Sequence, residues 1–259
     1  TKNASIAFFD SAAIESILIV AMAISGIHFG VLYATITGRK NNIFHSEVVR
    51  IYIGMMVIVT LIVAISLYFG DVYATIGESL RHSAFQVVSF TTTTGYATAD
   101  ANTWTSLSIV LLIVCSVGCG CAGSTSGGKK VDRLLITAKV IHSRIKLQQH
   151  PNAIIRTKID GSVRDEGILS LVMTYIVAYI ILVLIGAIIY TMFGCDLLTG
   201  FTASIACISN VGPGFGEVGS MNNYADLPAI LKLTSTILML VGRLEIFGFI
   251  QLFFIRSWR

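Results

Sequence analysis

Long apolar runs alternate with polar segments along this chain. Charge-free apolar stretches cover 51–69 and 168–193, and a third, 14–34, is broken only by Glu15. Each approaches the roughly 20 residues that cross a bilayer as a helix rising 1.5 Å per residue. Two further runs, 107–121 and 229–254, are interrupted by glycine-rich or ionisable residues. Between the long runs lie short, moderately apolar stretches near 75–89 and 197–208, each ending in a polar, glycine-centred string. The pattern predicts an all-α integral membrane protein in which a helix, a re-entrant half-helix, an extended loop and a second helix form one unit, used twice.

Composition supports lipid as the solvent. Of 259 residues 54% are hydrophobic and only 12% charged, against about one quarter charged in soluble domains. The net charge of +4 does not imply nucleic acid, because the cations are segregated. Arg39, Lys40 and Arg50 lie in 38–50. Lys129, Lys130, Arg133, Lys139, Arg144, Lys146, Arg156, Lys158 and Arg164 lie in 129–165, and Arg256 and Arg259 end the chain. The positive-inside rule assigns these three segments to the cytoplasm. The other side carries Asp71, Glu78, Asp100, Asp196, Glu217 and Asp226, with Arg81 nearly the only exception. Alternation then predicts crossings at 12–37, 48–69, 105–128, 168–193 and 229–255. The absence of an initiating Met and of a cleavable signal predicts that the chain was cut from a longer one. Cys115, Cys119, Cys121, Cys195 and Cys207 all lie in or beside apolar segments and are expected to be small buried residues.

The two non-cytoplasmic segments, 70–104 and 194–228, are too long for structureless loops. Both open alike, with Phe69-Gly70-Asp71 in one and Phe193-Gly194-Cys195-Asp196 in the other. They end in Ser89-Phe90-Thr91-Thr92-Thr93-Thr94-Gly95-Tyr96 and in Ser209-Asn210-Val211-Gly212-Pro213-Gly214-Phe215-Gly216. Irregular backbone at membrane depth is tolerated where it lines a water-filled path. There, carbonyl oxygens of an extended strand replace an ion's hydration shell, and glycine supplies the φ values that turn them toward one axis. A half-helix entering from outside directs its partially negative C-terminus at the same place. Threonine strings and Gly-Pro-Gly are ordinarily loops or turns; two copies in corresponding places favour an ion filter.

The run from Leu107 stops at Gly118-Cys119-Gly120-Cys121-Ala122-Gly123-Ser124-Thr125-Ser126-Gly127-Gly128 and resumes as a basic helix to about Leu147. Each glycine costs a helix close to 1 kcal/mol against alanine, so 118–128 is expected to be a loop within the bundle. Gly123, Gly128 and Lys129 imitate a phosphate loop, but Lys130 stands where a Ser or Thr is needed and no strand precedes it. Cys115, Cys119 and Cys121 lack a matching fourth metal ligand. Arg243 and Glu245 fall mid-way along the last apolar run, where ionisable groups are expensive and point to function; the plainer reading is a structural salt bridge. His28 reads as a packing residue and Lys232 as a lysine whose amine reaches the membrane surface.

Thr-Thr-Thr-Thr-Gly-Tyr at 91–96, Asn-Val-Gly-Pro-Gly at 210–214, Gly-Ser-Thr-Ser-Gly-Gly at 123–128 and Gly-Arg-Leu-Glu at 242–245 resemble the third and fourth repeats of the Trk branch of the Trk/Ktr/HKT potassium-transport superfamily. Gly26-Ile27-His28-Phe29 and Arg39 are similar to the last helix of its second repeat. The resemblance divides the chain into 1–37, the end of repeat two; 38–147, repeat three, with pore helix 75–89, filter 91–96 and loop 118–128; 148–167, a cytoplasmic linker; and 168–259, repeat four. Within repeat four it places the outer helix at 168–193, pore helix at 197–208, filter at 209–216 and inner helix at 229–255.

Four such repeats surround one axis in that family, like the subunits of a potassium channel. The resemblance implies potassium as the bound ion, with Gly95 and Gly212 as filter glycines and Thr93, Thr94, Tyr96, Asn210 and Val211 as neighbours whose carbonyls face it. It implies a gating loop containing Gly118, Gly120, Gly123, Gly127 and Gly128, with Arg243 projecting into the pore as a barrier beside it. It also implies the bacterial inner membrane, lipid contact, a homodimer of the full-length protein and a cytosolic nucleotide-binding regulatory subunit (TrkA-like). No enzymatic activity is implied. Potassium permeation is the leading function. A proton- or sodium-coupled symporter, with Glu245 or Glu15 as relay, and a nucleotide-driven transporter subunit are the alternatives.

Overall fold

The computed structural model describes residues 5–38, 42–150, 157–160, 162–163 and 165–253. Arg39, Lys40, Arg156, Arg164, Arg256, Arg259 and the end of the expected inner helix at 254–255 lie outside them. The helices are α1 (Ala12–Ser25), α2 (Phe29–Ile36), α3 (Glu47–Phe69), α4 (Ile76–Thr91), α5 (Ser106–Val117), α6 (Val131–Gln149), α7 (Glu166–Met192), α8 (Leu197–Ile208), α9 (Ala229–Arg243) and α10 (Ile246–Phe253). Two-residue strands form two small pairs: β1 (Gly118–Cys119) with β2 (Lys129–Lys130), parallel, and β3 (Lys158–Ile159) with β4 (Ser162–Val163), antiparallel.

Helices α3 and α7 are long and apolar enough to cross a membrane. Large apolar side chains such as Ile58, Ile62, Ile65, Ile181 and Ile188 stand exposed along them, as expected of surfaces solvated by lipid or by further protein. The expected single crossing at 12–37 is instead a bent pair: α1 and α2 meet at 102°. Gly26 ends α1, and His28 starts α2 by accepting the Gly30 amide on Nδ1 at 2.8 Å. The expected inner helix 229–255 is also broken, because Glu245 takes φ +55° after Arg243 and separates α9 from α10. A left-handed residue ends a helix, since it cannot continue the i to i−4 ladder.

Helices form at both of the short, moderately apolar stretches. Thr75 caps α4, its hydroxyl accepting the Glu78 amide at 3.2 Å, and Glu78 three residues on completes a capping-box spacing. Helix α4 runs two residues beyond the expected 89, to Thr91, whereas α8 matches 197–208. α4 packs on α3 and α8 on α7 and α9, so each half-helix is cradled by the long helix preceding it. Gly186 makes this closeness possible on α7: a Cβ there would reach 2.9 Å from Leu238 and collide with Ser204.

The repeat is visible in the backbone. At the end of α3 the amides of Gly70, Asp71 and Val72 donate to Ser66, Tyr68 and Leu67; at the end of α7 those of Phe193, Gly194 and Cys195 donate to Ile189, Thr191 and Tyr190. Asp71 (φ +53°) and Gly194 (φ +95°) occupy the same step. Gly70 is thus equivalent to Phe193, one residue out of register with the match between Phe69 and Phe193 that the sequence suggests.

Candidate functional site

Beyond each half-helix the chain makes the same turn. After α4, the amides of Thr92, Thr93 and Thr94 donate to the carbonyls of Val88, Phe90 and Ser89 at 2.9, 3.2 and 3.0 Å. After α8, those of Ser209, Asn210 and Val211 donate to Ile205, Cys207 and Ala206 at 2.9, 3.1 and 2.9 Å. Thr93 (φ +56°) matches Asn210 (φ +57°), and Gly95 (φ +74°) matches Gly212 (φ +101°). Two non-glycine residues held left-handed at equivalent places signal strain of order 1 kcal/mol or more each, of the kind that collects at functional sites.

These turns touch. A Cβ on Gly95 would collide with the Val211 carbonyl oxygen and come within 3.0 Å of Pro213, so only glycine lets the first turn approach the second. Phe90 stacks on Phe215 at 5.9 Å, and Val211 and Phe215 join the apolar core formed by Val63, Leu67, Phe90, Trp104 and Leu112. Above this contact, Asn102 spans the two units: its Oδ1 accepts the Gly216 amide at 2.8 Å and its Nδ2 donates to the Gly216 carbonyl at 3.2 Å. Tyr224 donates to the Gly212 carbonyl at 2.9 Å. Thr94 and Gly95 are half-buried, Val211 is buried and Tyr96 is 38% exposed.

The glycine-rich segment 118–128 lies against both turns. Strand β1 pairs with β2, closing the segment on itself. One flank is stitched to the bend between α1 and α2. Cys121 N–H donates to the Gly26 carbonyl at 2.9 Å, Thr125 Oγ1 to the Ser25 carbonyl at 3.1 Å, and Phe29 N–H to the Gly123 carbonyl at 3.2 Å. The broken helix leaves carbonyls without intrahelical partners, and the loop satisfies them. The other flank reaches the turns: the Gly127 amide donates to Thr93 Oγ1 at 2.8 Å. Cβ atoms on Gly127 and Gly128 would press on Asn210 at 2.9 Å and on Ser209 at 3.1 Å. On Gly120 a Cβ would lie 2.8 Å from the Gly26 carbonyl, and on Gly123 2.7 Å from the His28 ring. His28 is therefore both a cap and a contact of the loop. Gly118 is less confined, meeting Leu134 at 3.0 Å.

Arg243 donates to the Thr125 carbonyl at 3.3 Å, which puts its side chain beside the loop. Glu245 pairs at 2.7 Å with Arg133, whereas Arg243 meets the Thr125 carbonyl. Lys130 Nζ donates to the Ser126 carbonyl. Lys130, Arg243 and Glu245, with Gly123 to Gly128 and Gly242, line a cavity of about 230 Å³.

Sequence reasoning missed several residues. Lys129, counted among the cations of a cytoplasmic loop, is buried, its amine 4.7 Å from the centre of the Tyr179 ring. Tyr179 in turn bonds Ser209 Oγ at 2.7 Å. Glu15, weighed as a relay, is held by both nitrogens of an Arg81 fork at 2.6 and 2.8 Å. A rare cation on the acidic face and the single acid of the first apolar run were the signal for that pair. The bonds of Asn102 left no mark in the sequence. The five cysteines are free and buried, and no group of three or more His, Cys, Asp or Glu suited to a metal occurs among the described residues.

The family model TrkH, described as cation transport protein, matches residues 1–257. The Trk system potassium uptake protein TrkH of Salmonella typhimurium is 32% identical, and that of Halomonas elongata 34%, each over all of this chain and 53% of its own length. The crystal structure of the potassium transporter TrkH from Vibrio parahaemolyticus superposes with a TM-score of 0.90 at 31% identity, covering 99% of this chain and 55% of that one. The chain therefore spans about half the length of the curated relatives it matches. It belongs to the TrkH family of cation transport proteins.

Proposed function

We propose that this chain contributes two of the walls of a potassium-conducting pore. The carbonyls of Thr93, Thr94, Gly95, Tyr96, Asn210, Val211 and Gly212 form its half of the filter, and loop 118–128 with Arg243 is the gate. The observation that carries the reading is the backbone pattern repeated from Thr93 to Asn210, each copy ending on a positive-φ glycine, with the two copies in contact. The C-termini of α4 and α8 end at these turns, where a helix carries its partial negative charge and favours a cation. The similar proteins are named for potassium uptake.

The loop beneath the turns and the cation Arg243 beside it oppose potassium until the loop moves. Glu15 and Glu245, the two acids weighed for a proton relay, are each held by an arginine, which favours an uncoupled path over symport. The segregated Lys and Arg support a bacterial inner-membrane orientation with 38–50, 129–165 and the C-terminus inside. A homodimer and a nucleotide-binding regulator belong to the same reading.

The test is potassium and sodium flux in liposomes holding the full-length polypeptide. Gly95→Ser, which drives a Cβ into the Val211 carbonyl, relaxes potassium over sodium selectivity. Gly212→Ser, where a Cβ meets open space and only φ is strained, does so less. Selectivity equal to wild type in both variants overturns the filter assignment.

A further inference from the structure

Thr93 and Asn210 occupy equivalent positions, two residues before Gly95 and Gly212, and both are left-handed although neither is glycine. Their carbonyls belong to the turns, but their side chains leave the turn and bond the element below. Thr93 Oγ1 accepts the amide of Gly127 in the glycine-rich loop at 2.8 Å. Asn210 Nδ2 donates to the Met239 carbonyl in the last turn of α9 at 3.2 Å. Asn210 also sits between the loop and that helix: a Cβ on Gly127 would be 2.9 Å from its Cβ, and one on Gly242 2.9 Å from its Nδ2. The next residue, Arg243, reaches back to Thr125 of the loop. Turn, loop and helix end thus form a closed circuit of contacts, in which each turn grips a different part of the lower assembly.

We infer that Thr93 and Asn210 are positioning residues that couple the occupancy of the filter to the position of the gate. The inference rests on the proposed filter and gate. A left-handed threonine is conformationally costly, an asparagine less so. The backbone angle at each aims a carbonyl at the ion path and also directs the side chain down to the gate. When an ion that fits holds the turn in this geometry, both grips are made. When the turn relaxes around a poorly fitting ion, the Thr93 hydroxyl leaves the Gly127 amide and the loop is freed. A structural role alone would tie the loop down equally in any salt.

The loop's own Cys119 and Cys121, 0% and 1% exposed, report its release. In the full-length polypeptide in liposomes, their modification by N-ethylmaleimide is followed by peptide mass spectrometry, with Cys115 on α5 and Cys207 on α8 as internal references. In wild type, potassium slows modification relative to sodium at equal ionic strength. Thr93→Val keeps the shape and removes the acceptor, so the rate in potassium rises about fivefold, the equivalent of one net hydrogen bond, and the ion dependence disappears. Thr93→Ser restores the ion dependence. Asn210→Asp, which cannot donate to Met239, reduces it, and carries the test alone if Thr93→Val does not fold. Equal rates in potassium and sodium for wild type, or an undiminished difference in the folded variants, overturn the coupling. Gly95→Ser separates this from the filter reading. If that variant relaxes flux selectivity while Thr93→Val keeps the ion dependence, the coupling fails and the filter stands; if selectivity is unchanged both in it and in Gly212→Ser, the filter reading falls first.

Discussion

The ion pair between α1 and α4 ties the pore-helix candidate of one unit to the first helix of the bent α1–α2 pair, and its removal is measurable. Arg81 Nε and Nη2 meet the two Glu15 oxygens at 2.6 and 2.8 Å; the Glu15 side chain is 3% exposed and that of Arg81 29%. Removing one partner of a buried pair costs about 3–5 kcal/mol, whereas replacing both by apolar groups is often neutral. Arg81 retains Asp10 at 3.3 Å and some solvent, so Glu15→Leu falls at the low end, about 3 kcal/mol. Arg81→Met strands a buried carboxylate and falls near the high end, about 5 kcal/mol. At roughly 2–4 °C per kcal/mol for a domain of this size, Glu15→Leu lowers the melting temperature of the detergent-solubilised protein by about 6–12 °C, and Arg81→Met by more. The double variant regains most of the loss. Single variants within about 2 °C of wild type, or a double variant whose loss equals the sum of the singles, would refute a coupled buried pair.

Three further outcomes follow from the geometry. Arg243→Ala removes the cation beside the loop and its bond to Thr125, so potassium flux in liposomes rises; loss of flux by a correctly folded variant counts against a barrier. Asn102→Leu removes both bonds to Gly216 and costs about 1–3 kcal/mol, read as a lower melting temperature together with weakened potassium over sodium selectivity. Gly242→Ala pushes a methyl into the Ile208 carbonyl and the Asn210 amide. Overpacking of this kind costs about 1–3 kcal/mol, and thermal unfolding of the purified variant measures it.

Much of the architecture was legible because lipid imposes simple rules. A run of about 20 apolar residues has few alternatives to a spanning helix, and α3 and α7 begin and end within two residues of the expected limits. The half-helices and their glycine-centred strings were legible for the same reason, since irregular polar backbone at that depth needs a special purpose. Repetition singled out the two strings, and both make the same backbone turn. Glycine richness marked 118–128 as a loop, and a lone arginine in an apolar run marked Arg243.

Periodicity and composition by themselves pointed to a largely helical membrane chain with two repeated units; the roles of the candidate residues within them came with the family resemblance. The tertiary structure alone decided how those residues meet. The 102° bend after α1 and the break after Arg243 depend on cap and loop contacts made by residues far away in sequence, which no apolar count registers. Lys129 looked like a cytoplasmic lysine because charge patterning counts cations without locating them; its place against Tyr179 follows from the short β1–β2 pairing that turns the chain back under the second turn. Gly95 needed its glycine for a φ value that sequence could suggest, but also for the Val211 carbonyl across from it. That approach exists only once two units separated by more than a hundred residues have packed together, because their contact is set by side chains from both.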